Sequence, residues 1–326
     1  MAKSGSQTGT GKAFEYACAK VIVESEKLQS KFILQDSRQM KTAKAFFDGL
    51  DQIYKERYLQ GAGAAIKILD RLEPYLFHGH EQLTVSLQTD ANGISGDVRD
   101  VICLRASDGW EIGLSCKHNH DAVKHSRLSS KIDFGKEWFG KACSQEYFHE
   151  IQKVFEPLAQ IRVSSNHAAL WSDLPNKEEE CYAPVLHAFM SELRRLDKEY
   201  PGEIPAALIR YLMGKKDFYK VIMNEAGKYT EIDSVNMNGS LSRSVGNIRP
   251  LVPAPLMTLP KKFYEIGYKE GSKNTIVVIC DNGWNVSMRI HNASSKVEPS
   301  LKFDVRLIAM PSSILKQIEP WGDNSY

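Results

Sequence analysis

The chain has 326 residues, of which 42% are hydrophobic and 25% are charged, and its formal net charge is +2. This length allows one large domain or two, and this composition is typical of a globular protein, not of a disordered one. The small net charge excludes a uniformly basic nucleic-acid-binding protein, so any basic surface must be local.

Three features of the sequence predict a protein of a reducing compartment. It contains no run of about 18–20 apolar residues, the length that crosses a membrane. Residues 1–6 lack the apolar segment of a secretory signal. The six cysteines are scattered and include no CxxC pair, which is typical of free thiols. We therefore expect a cytoplasmic protein.

The first part of the chain predicts helices followed by a strand. Residues 13–27 carry apolar side chains near a helical period, and Glu15 lies in the first turn, where a carboxylate stabilises a helix. Residues 39–60 and 61–76 predict two more helices, and residues 83–87 alternate as a strand does.

A β-hairpin is predicted next, because two apolar, β-branched runs flank Asp108-Gly109, a strong signal for a two-residue turn. The predicted strands, residues 100–105 and 110–117, place Asp100 directly opposite Lys117. A carboxylate that holds a divalent cation and an ammonium that steadies a water or a developing charge can form a phosphodiesterase site. The alternative is an exposed ion pair worth less than about 1 kcal/mol, and these two residues alone favour that alternative.

A second carboxylate near this hairpin is Asp97. It lies three residues before Asp100 and would point to the opposite face of a continuous strand, although a bend after Gly96 can bring it back. We therefore place Asp100 first and Asp97 second as metal ligands. Glu111 lies about 20 Å from Lys117 along a strand, so we expect it on the surface near the turn.

The segment that begins at Lys117 is basic. Residues 117–136 include five Lys or Arg and three His against two Asp, which suits contact with the phosphate backbone of nucleic acid. The residues predicted to contact DNA here are His118, Asn119, His120, Lys124, His125 and Arg127. The string His118-Asn119-His120 is not an HNH nuclease motif, whose residues are spread over a ββα unit. A zinc site with Cys116 is disfavoured because the spacing of a zinc finger is missing.

The rest of the chain becomes β-rich toward its end. Helices are predicted between residues 150 and 197, and strands at residues 218–223, 229–232, 275–280, 285–290 and 302–308. Alternation places Arg289 and His291 on one strand face, next to Asn292. Such a face can enter a major groove, where Arg binds guanine, or it can be merely solvated. The residues alone favour the solvated face.

Several of these strings resemble one enzyme family. The stretch from Gly96 to Gly140, which contains Trp110-Glu-Ile-Gly-Leu-Ser-Cys-Lys117 and Lys124-His-Ser-Arg-Leu-Ser129, resembles the HaeIII-like type II restriction endonucleases. Gly11-Lys-Ala-Phe-Glu-Tyr-Ala17 and Arg289-Ile-His-Asn-Ala-Ser294 are similar too, so the resemblance covers most of the chain. An Asp that starts one strand and an x-Lys that closes the next also resemble the PD-(D/E)xK nuclease core.

The resemblance implies an α/β fold with a PD-(D/E)xK restriction-endonuclease-like core, a mixed sheet flanked by helices, and a β-rich C-terminal part. It implies Mg²⁺-dependent cleavage of double-stranded DNA at GGCC and a protective DNA methyltransferase as a functional companion. Because both strands must be cut, we expect a homodimer that matches a palindrome. The resemblance also favours base reading over solvation for Arg289, His291 and Asn292.

The order of the predicted elements suggests a division of the chain. We expect residues 1–160 to form the N-terminal helices and the nuclease core, and residues 161–249 to form a middle region of helices and strands. Residues 250–326 are expected to form a β-rich part that recognises DNA and packs on the core.

This chain departs from the nuclease core at Ser115, which stands where a second acid is expected. Related nuclease folds complete the metal site with a Glu on an opening helix, so Glu15 is a candidate alongside Asp97. The residues expected to form the site are Asp100, Glu15 or Asp97, Cys116 through its backbone carbonyl, and Lys117 as the group that orients water. A lost acid can instead mean a non-catalytic DNA-binding protein, and a structure-selective nuclease such as a junction resolvase is the other alternative.

Overall fold

The computed structural model describes residues 7–89, 97–118 and 122–322. The chain divides into two compact units, the first formed by residues 1–120, 214–257 and 312–326, and the second by residues 121–213 and 258–311. Each unit is assembled from segments that are distant in the chain. The expected three-part division followed chain order and differs from this partition, because strand pairing joins segments that local patterns cannot connect.

The described helices of the first unit lie before its main strands. They are α1 (Gln7–Glu24), α2 (Arg38–Asp48), α3 (Gln52–Leu72) and α4 (Tyr75–His78). Residues 13–19 of α1 are all buried, and Phe14 and Ala17 are fully so, as expected of a helix that is covered on all sides. The Ser37 side chain accepts a hydrogen bond from the Met40 amide and so caps the start of α2.

The predicted boundary between two helices at residues 60 and 61 is wrong. The break lies between α2 and α3, where Gly49 ends α2. Gly61 lies inside α3 because the helix approaches the sheet closely there: a Cβ on Gly61 would come within 2.7 Å of the Met223 sulfur. This glycine marks a packing contact and not a helix end.

The strands of the first unit form a seven-stranded mixed sheet. In order across the sheet they are β1 (Phe32–Leu34), β2 (Leu83–Leu87), β3 (Val101–Arg105), β4 (Trp110–His118), β6 (Phe218–Asn224), β7 (Tyr229–Val235) and β12 (Lys316–Pro320). The β1–β2 and β4–β6 pairs are parallel, and the β3–β4 pair is antiparallel. Val101, Ile112 and Val221 are buried in the same hydrophobic core as α1 and α3. The prediction of a mixed sheet flanked by helices is confirmed.

The β3–β4 hairpin has a longer turn than predicted. Residues Ala106–Asp108 form a turn of 3-10 helix, and Gly109 follows with φ of 62°, in the left-handed region that favours glycine. Trp110 therefore pairs with Arg105, and Val101 pairs with Leu114. The predicted pairing of Asp100 with Lys117 is wrong, because continuing this register places Ser115 opposite Asp100.

The second unit combines helices with a five-stranded antiparallel sheet. Its helices include Phe134–Phe139, Gln145–Ser164, Ala183–Glu199 and Ile204–Met213. Its strand order is β5 (Ala122–Leu128), β11 (Leu301–Ala309), β10 (Asn285–His291), β9 (Thr275–Cys280) and β8 (Phe263–Tyr268). The basic segment after β4 therefore belongs to the sheet of the C-terminal strands.

Two further observations concern the chain as a whole. Within the described residues, no helix has both the length and the apolar character needed to cross a membrane. The six cysteines are free and buried.

Candidate active site and nucleic-acid-binding face

Asp100 and Lys117 are brought together in spite of the shifted register. The Lys117 Nζ atom lies 3.2 Å from Asp100 Oδ2. Lys117 is two positions beyond Ser115 and so shares its strand face, which lets the long lysine side chain reach back to Asp100. The predicted contact is present, although the pairing from which it was predicted is not.

The position of Asp100 just before β3 explains its other contacts. Because β3 begins at Val101, the Cys116 amide has no β3 residue opposite it and donates to Asp100 Oδ2 over 2.7 Å. The Ser115 hydroxyl lies 3.4 Å from the same oxygen. A strand residue directs its N–H and C=O toward the same neighbour, so the Cys116 carbonyl also faces the side where β3 has ended.

Glu15 is the second acid of this cluster. It is only 6% exposed, on a helix whose residues pack against the β3 and β4 core. Burial, together with the negative charge of Asp100, raises the pKa of Glu15 from 4.5 to about 7, while Lys12 and Lys117 act in the opposite direction. The Lys12 ammonium lies 3.2 Å from Glu15 Oε2. Glu15 and Asp100 thus repel each other when both are ionised, which is typical of paired acids that share a site.

Asp97 is held by a different partner. Arg99 donates to both of its carboxylate oxygens, with Nε 2.8 Å from Oδ1 and Nη2 2.6 Å from Oδ2. Burial raises the pKa of Asp97, but the hydrogen bonds and charge of Arg99 outweigh it, so the pKa lies below its usual value. The Arg99 Nη1 atom also lies 2.7 Å from Glu111, which is half-buried and ion-paired, not free at the surface.

Arg99 itself was not identified from the sequence. Its side chain is buried and bridges Asp97 and Glu111. The available signal was Gly113, because a Cβ at that position would collide with the Arg99 side chain. A glycine inside a strand pattern often marks such a close approach.

The described residues do not contain a group of three or more His, Cys, Asp or Glu side chains placed to hold a metal ion. The side-chain donors available near Lys117 are the carboxylates of Glu15 and Asp100. A hard divalent cation also accepts backbone carbonyls and water as ligands. The site can therefore take such a cation only if the Cys116 carbonyl and solvent complete the coordination.

The five-stranded sheet brings the two predicted DNA-binding segments together. In the β5–β11–β10 register, Arg127 lies opposite Lys302, and Lys302 lies opposite His291. Asp304 of β11 lies opposite Arg289 in the same way. Directly paired residues share a sheet face, so distant parts of the sequence contribute to one polar face. Lys302 and the exposed Arg306 on β11 were not singled out from the sequence.

The side chains of this face differ in how they are held. Arg289 is exposed, and Arg127 is exposed with Nη1 3.2 Å from the Ser300 hydroxyl. The His291 Nε2 atom lies 3.0 Å from Asp304 Oδ2. The Asn292 amide is engaged within the unit, since its oxygen accepts from the Tyr182 hydroxyl at 3.1 Å and its nitrogen donates to the Ser294 carbonyl at 2.6 Å.

The remaining predicted DNA contacts lie at the junction of β4 and β5. Asn119 and His120 lie outside the described residues. His118 ends β4, and Lys124 and His125 lie in β5, where His125 pairs with Asp304 and Lys124 with Val305 in backbone register. For His118, Lys124 and His125 the structure thus gives the strand position and the backbone pairing.

Comparison with known proteins gives two matches. The family model described as HaeIII restriction endonuclease matches residues 11–311. A curated relative, the "Type II restriction enzyme HaeIII" of Haemophilus aegyptius, is 36% identical over 320 residues, which cover 98% of this chain and 100% of that protein. No solved structure matches the chain.

Proposed function

The chain belongs to the HaeIII restriction endonuclease family, and from this premise we propose how its residues cleave DNA. It acts as a type II site-specific deoxyribonuclease, which hydrolyses phosphodiester bonds of double-stranded DNA at a defined sequence. The family resemblance implies GGCC as that sequence. Asp100 and Lys117 at adjoining strand ends correspond to the Asp and Lys of a PD-(D/E)xK core, which is the fold we assign to the first unit.

The observation that carries this proposal is the cluster of Asp100, Lys117 and Glu15. Lys117 lies 3.2 Å from Asp100 where β3 begins, and Glu15 lies near enough for the charges of both residues to act on its pKa. Ser115 does not disable the site in this view, because Glu15 reaches the same region from α1. An acid whose pKa is raised by burial and by a neighbouring acid is common in functional sites.

The donor set fits Mg²⁺, the cofactor that the resemblance implies. Burial and the negative charge of Asp100 raise the pKa of Glu15, and a bound divalent cation would offset the repulsion between the two carboxylates. Asp100, Glu15 and the Cys116 carbonyl are the residues that would hold it, all through the oxygen atoms that Mg²⁺ prefers. When bound, the ion supplies positive charge to the scissile phosphate. Asp97 is the weaker candidate because Arg99 already binds both of its oxygens.

The chain's own groups then have separate tasks. Lys117 holds its ammonium beside Asp100, where it orients the attacking water and stabilises negative charge that develops on the phosphate. Asp100 in turn fixes the Lys117 side chain and the Cys116 amide. Lys12 neutralises part of the charge on Glu15.

DNA recognition is assigned to the polar face of the five-stranded sheet and to the basic segment that leads into it. Arg289 is exposed and has the planar fork that binds guanine O6 and N7. His291 is the next residue on the same face of β10, two positions after Arg289. Asn292 contributes by holding the loop after β10, since its amide is already hydrogen-bonded. The backbone phosphates are assigned to the remaining basic and polar candidates: His118, Asn119, His120, Lys124, His125 and Arg127.

The assembly and setting follow from the chemistry of the substrate. Both strands of a palindrome must be cut, and a homodimer presents two equivalent sites to them. A cytoplasmic enzyme of this kind requires a DNA methyltransferase that protects the host sequence, as a functional companion and not as a bound partner.

The experiment is incubation of the purified protein with a plasmid and with long linear duplex DNA, with and without Mg²⁺. We expect discrete fragments whose ends lie at GGCC, and only with the metal. Uncut but retarded DNA would indicate a non-catalytic DNA-binding protein. Cleavage confined to branched substrates, without a fragment ladder on linear duplex, would indicate a structure-selective nuclease.

A further inference from the structure

A second feature of the first unit is a cavity of about 820 Å³ at the turn end of the β3–β4 hairpin. Its wall is formed by the turn residues from Asp108 to Glu111, by Lys215 and Lys216 just before β6, and by the loop that contains Arg243. None of these residues belongs to the Asp100 and Lys117 cluster. The cavity thus requires an explanation of its own.

The acids that line this cavity are all engaged within the protein. Asp108 accepts a hydrogen bond from the Tyr75 hydroxyl, and Glu111 is paired with Arg99. The buried Asp217 accepts from the amides of Met237 at 2.8 Å and Ser240 at 2.9 Å. Each acid is therefore already engaged by internal donors, and the three acids are outnumbered by the four cations of the wall, which are Arg99, Lys215, Lys216 and Arg243.

Three of these cations are not engaged in this way. Lys215, Lys216 and Arg243 are exposed, and their side chains form no hydrogen bond or ion pair with any other described residue. The net positive charge at this surface is therefore available to a ligand, and an anion is the ligand that it favours.

The loop that carries Arg243 is fixed by two buried carboxylates. Asp217 binds its start through the backbone amides from Met237 to Ser240. Glu73 binds its next part, because its Oε1 atom accepts from the Ser242 amide at 2.5 Å and from the Tyr219 hydroxyl at 2.8 Å. Such supporting contacts hold binding side chains in place before a ligand arrives.

The distance between the cavity and the cleavage site can be compared with the length of a DNA duplex. Glu111 at its wall and Lys117 at the other end of β4 are six residues apart, which corresponds to about 20 Å along a strand. A DNA strand advances about 3.4 Å for each nucleotide along the helix axis, so this length matches roughly six base pairs.

We infer that the cavity binds backbone phosphates of the DNA that flanks the recognition sequence, through Lys215, Lys216 and Arg243. The inference rests on the proposed function, since it takes duplex DNA as the substrate. Contacts of this kind position a duplex without reading its bases. They increase the affinity for long duplexes and leave the choice of sequence to other residues.

The test compares two cognate duplexes, one with about two flanking base pairs on each side and one with about twelve, so that only the second reaches the cavity. Affinities for both are measured at several salt concentrations in an Asp100→Ala background, which leaves the DNA uncut. The variants are Arg243→Ala and the double variant Lys215→Ala/Lys216→Ala. Arg249→Ala is the matched control, because Arg249 is also exposed and basic but does not line the cavity.

For Arg243→Ala we expect about tenfold weaker binding of the long duplex, the order of one charge-assisted hydrogen bond. The slope of affinity against salt should fall by about one phosphate contact. Binding of the short duplex should not change, and Arg249→Ala should match the parent protein. Cleavage at saturating DNA, measured for the same variants with Asp100 intact, should not change either.

Three results would overturn the inference: unchanged binding of the long duplex, an equal loss for Arg249→Ala, or an equal loss on both duplexes. Melting temperatures of the variants show whether any loss is one of folding. Failure of the proposed function is a separate outcome, since the wild-type protein would then leave GGCC-containing DNA uncut.

Discussion

Replacing Glu15 by Gln should stabilise the metal-free protein at alkaline pH and at the same time impair cleavage. Burial and Asp100 raise the pKa of Glu15 from 4.5 to about 7 in the folded protein. Between these values the unfolded chain has released the proton while the folded chain retains it, so the free energy of unfolding falls as the pH rises through this window. A shift of this size corresponds to about 3 kcal/mol. The neutral amide of the variant would carry no charge and would avoid that cost.

The measurement is urea unfolding of the wild type and Glu15→Gln at pH 8 and pH 4.5, without divalent metal. We expect the variant to be more stable by up to about 3 kcal/mol at pH 8, and the difference to vanish at pH 4.5, where the wild-type acid is neutral. The control is Glu24→Gln, the same substitution at an exposed position of α1. It should change stability little at either pH.

Mg²⁺ should reverse the order of stability, because a ligand stabilises the state that binds it and the amide of the variant would be a poorer metal ligand than the carboxylate. Cleavage by Glu15→Gln should fall at least about tenfold, the scale of 1.4 kcal/mol in the transition state. The reasoning is refuted if the variant is destabilised equally at both pH values, or if it cleaves DNA at the normal rate.

Four other substitutions separate the remaining roles. Asp100→Ala should abolish cleavage but retain specific binding in gel-shift titrations, and persistent cleavage would remove Asp100 from the site. Lys117→Arg should be nearly as inactive as Lys117→Ala in single-turnover assays, because the broader guanidinium misplaces the charge. Asp97→Asn should lower the free energy of unfolding by about 1–3 kcal/mol, because it weakens the pairing of the buried Arg99 side chain, and turnover of the folded enzyme should be normal. Lost turnover at unchanged stability would make Asp97 the ligand instead. Arg289→Ala should weaken cognate binding by about 1–3 kcal/mol and leave scrambled duplexes unaffected. Equal loss on both duplexes would place base reading elsewhere.

The sequence predicted the strands of the central hairpin but not their register. Alternation of apolar residues is a local property, and it located both strands. The register depends on the turn, where a 3-10 segment and the left-handed Gly109 replaced the two-residue turn that Asp108-Gly109 suggested. The predicted contact of Asp100 with Lys117 is still present in the observed register. Ser115 lies opposite Asp100, and Lys117 is on the same strand face as Ser115, so its long side chain reaches Asp100.

Contacts between distant segments set the limit of prediction. That Glu15 lies in a helix was predictable, but the prediction that it lies in the first turn is wrong, because α1 begins at Gln7 and Glu15 lies near its middle. Its proximity to Asp100 depends on how α1 packs against β4. The pairing of β5 with β11 likewise joins residues that no local pattern connects. The sequence left both Asp97 and Glu15 as candidates for the second acid. The structure separates them, because Arg99 pairs with Asp97 and Glu111 and so engages Asp97.

The interleaved sheet of the first unit has a consequence for biosynthesis. A nascent chain that has not yet reached Phe218 already contains Glu15, Asp100 and Lys117, but β4 lacks its parallel neighbour β6. Domains tend to fold as units while the ribosome elongates the chain, and pairings of high sequence separation form last. An unfinished or truncated polypeptide would therefore expose the hairpin without the support that holds its end in place. The host genome would be spared cutting by partial translation products, and no short N-terminal fragment should serve as a minimal nuclease.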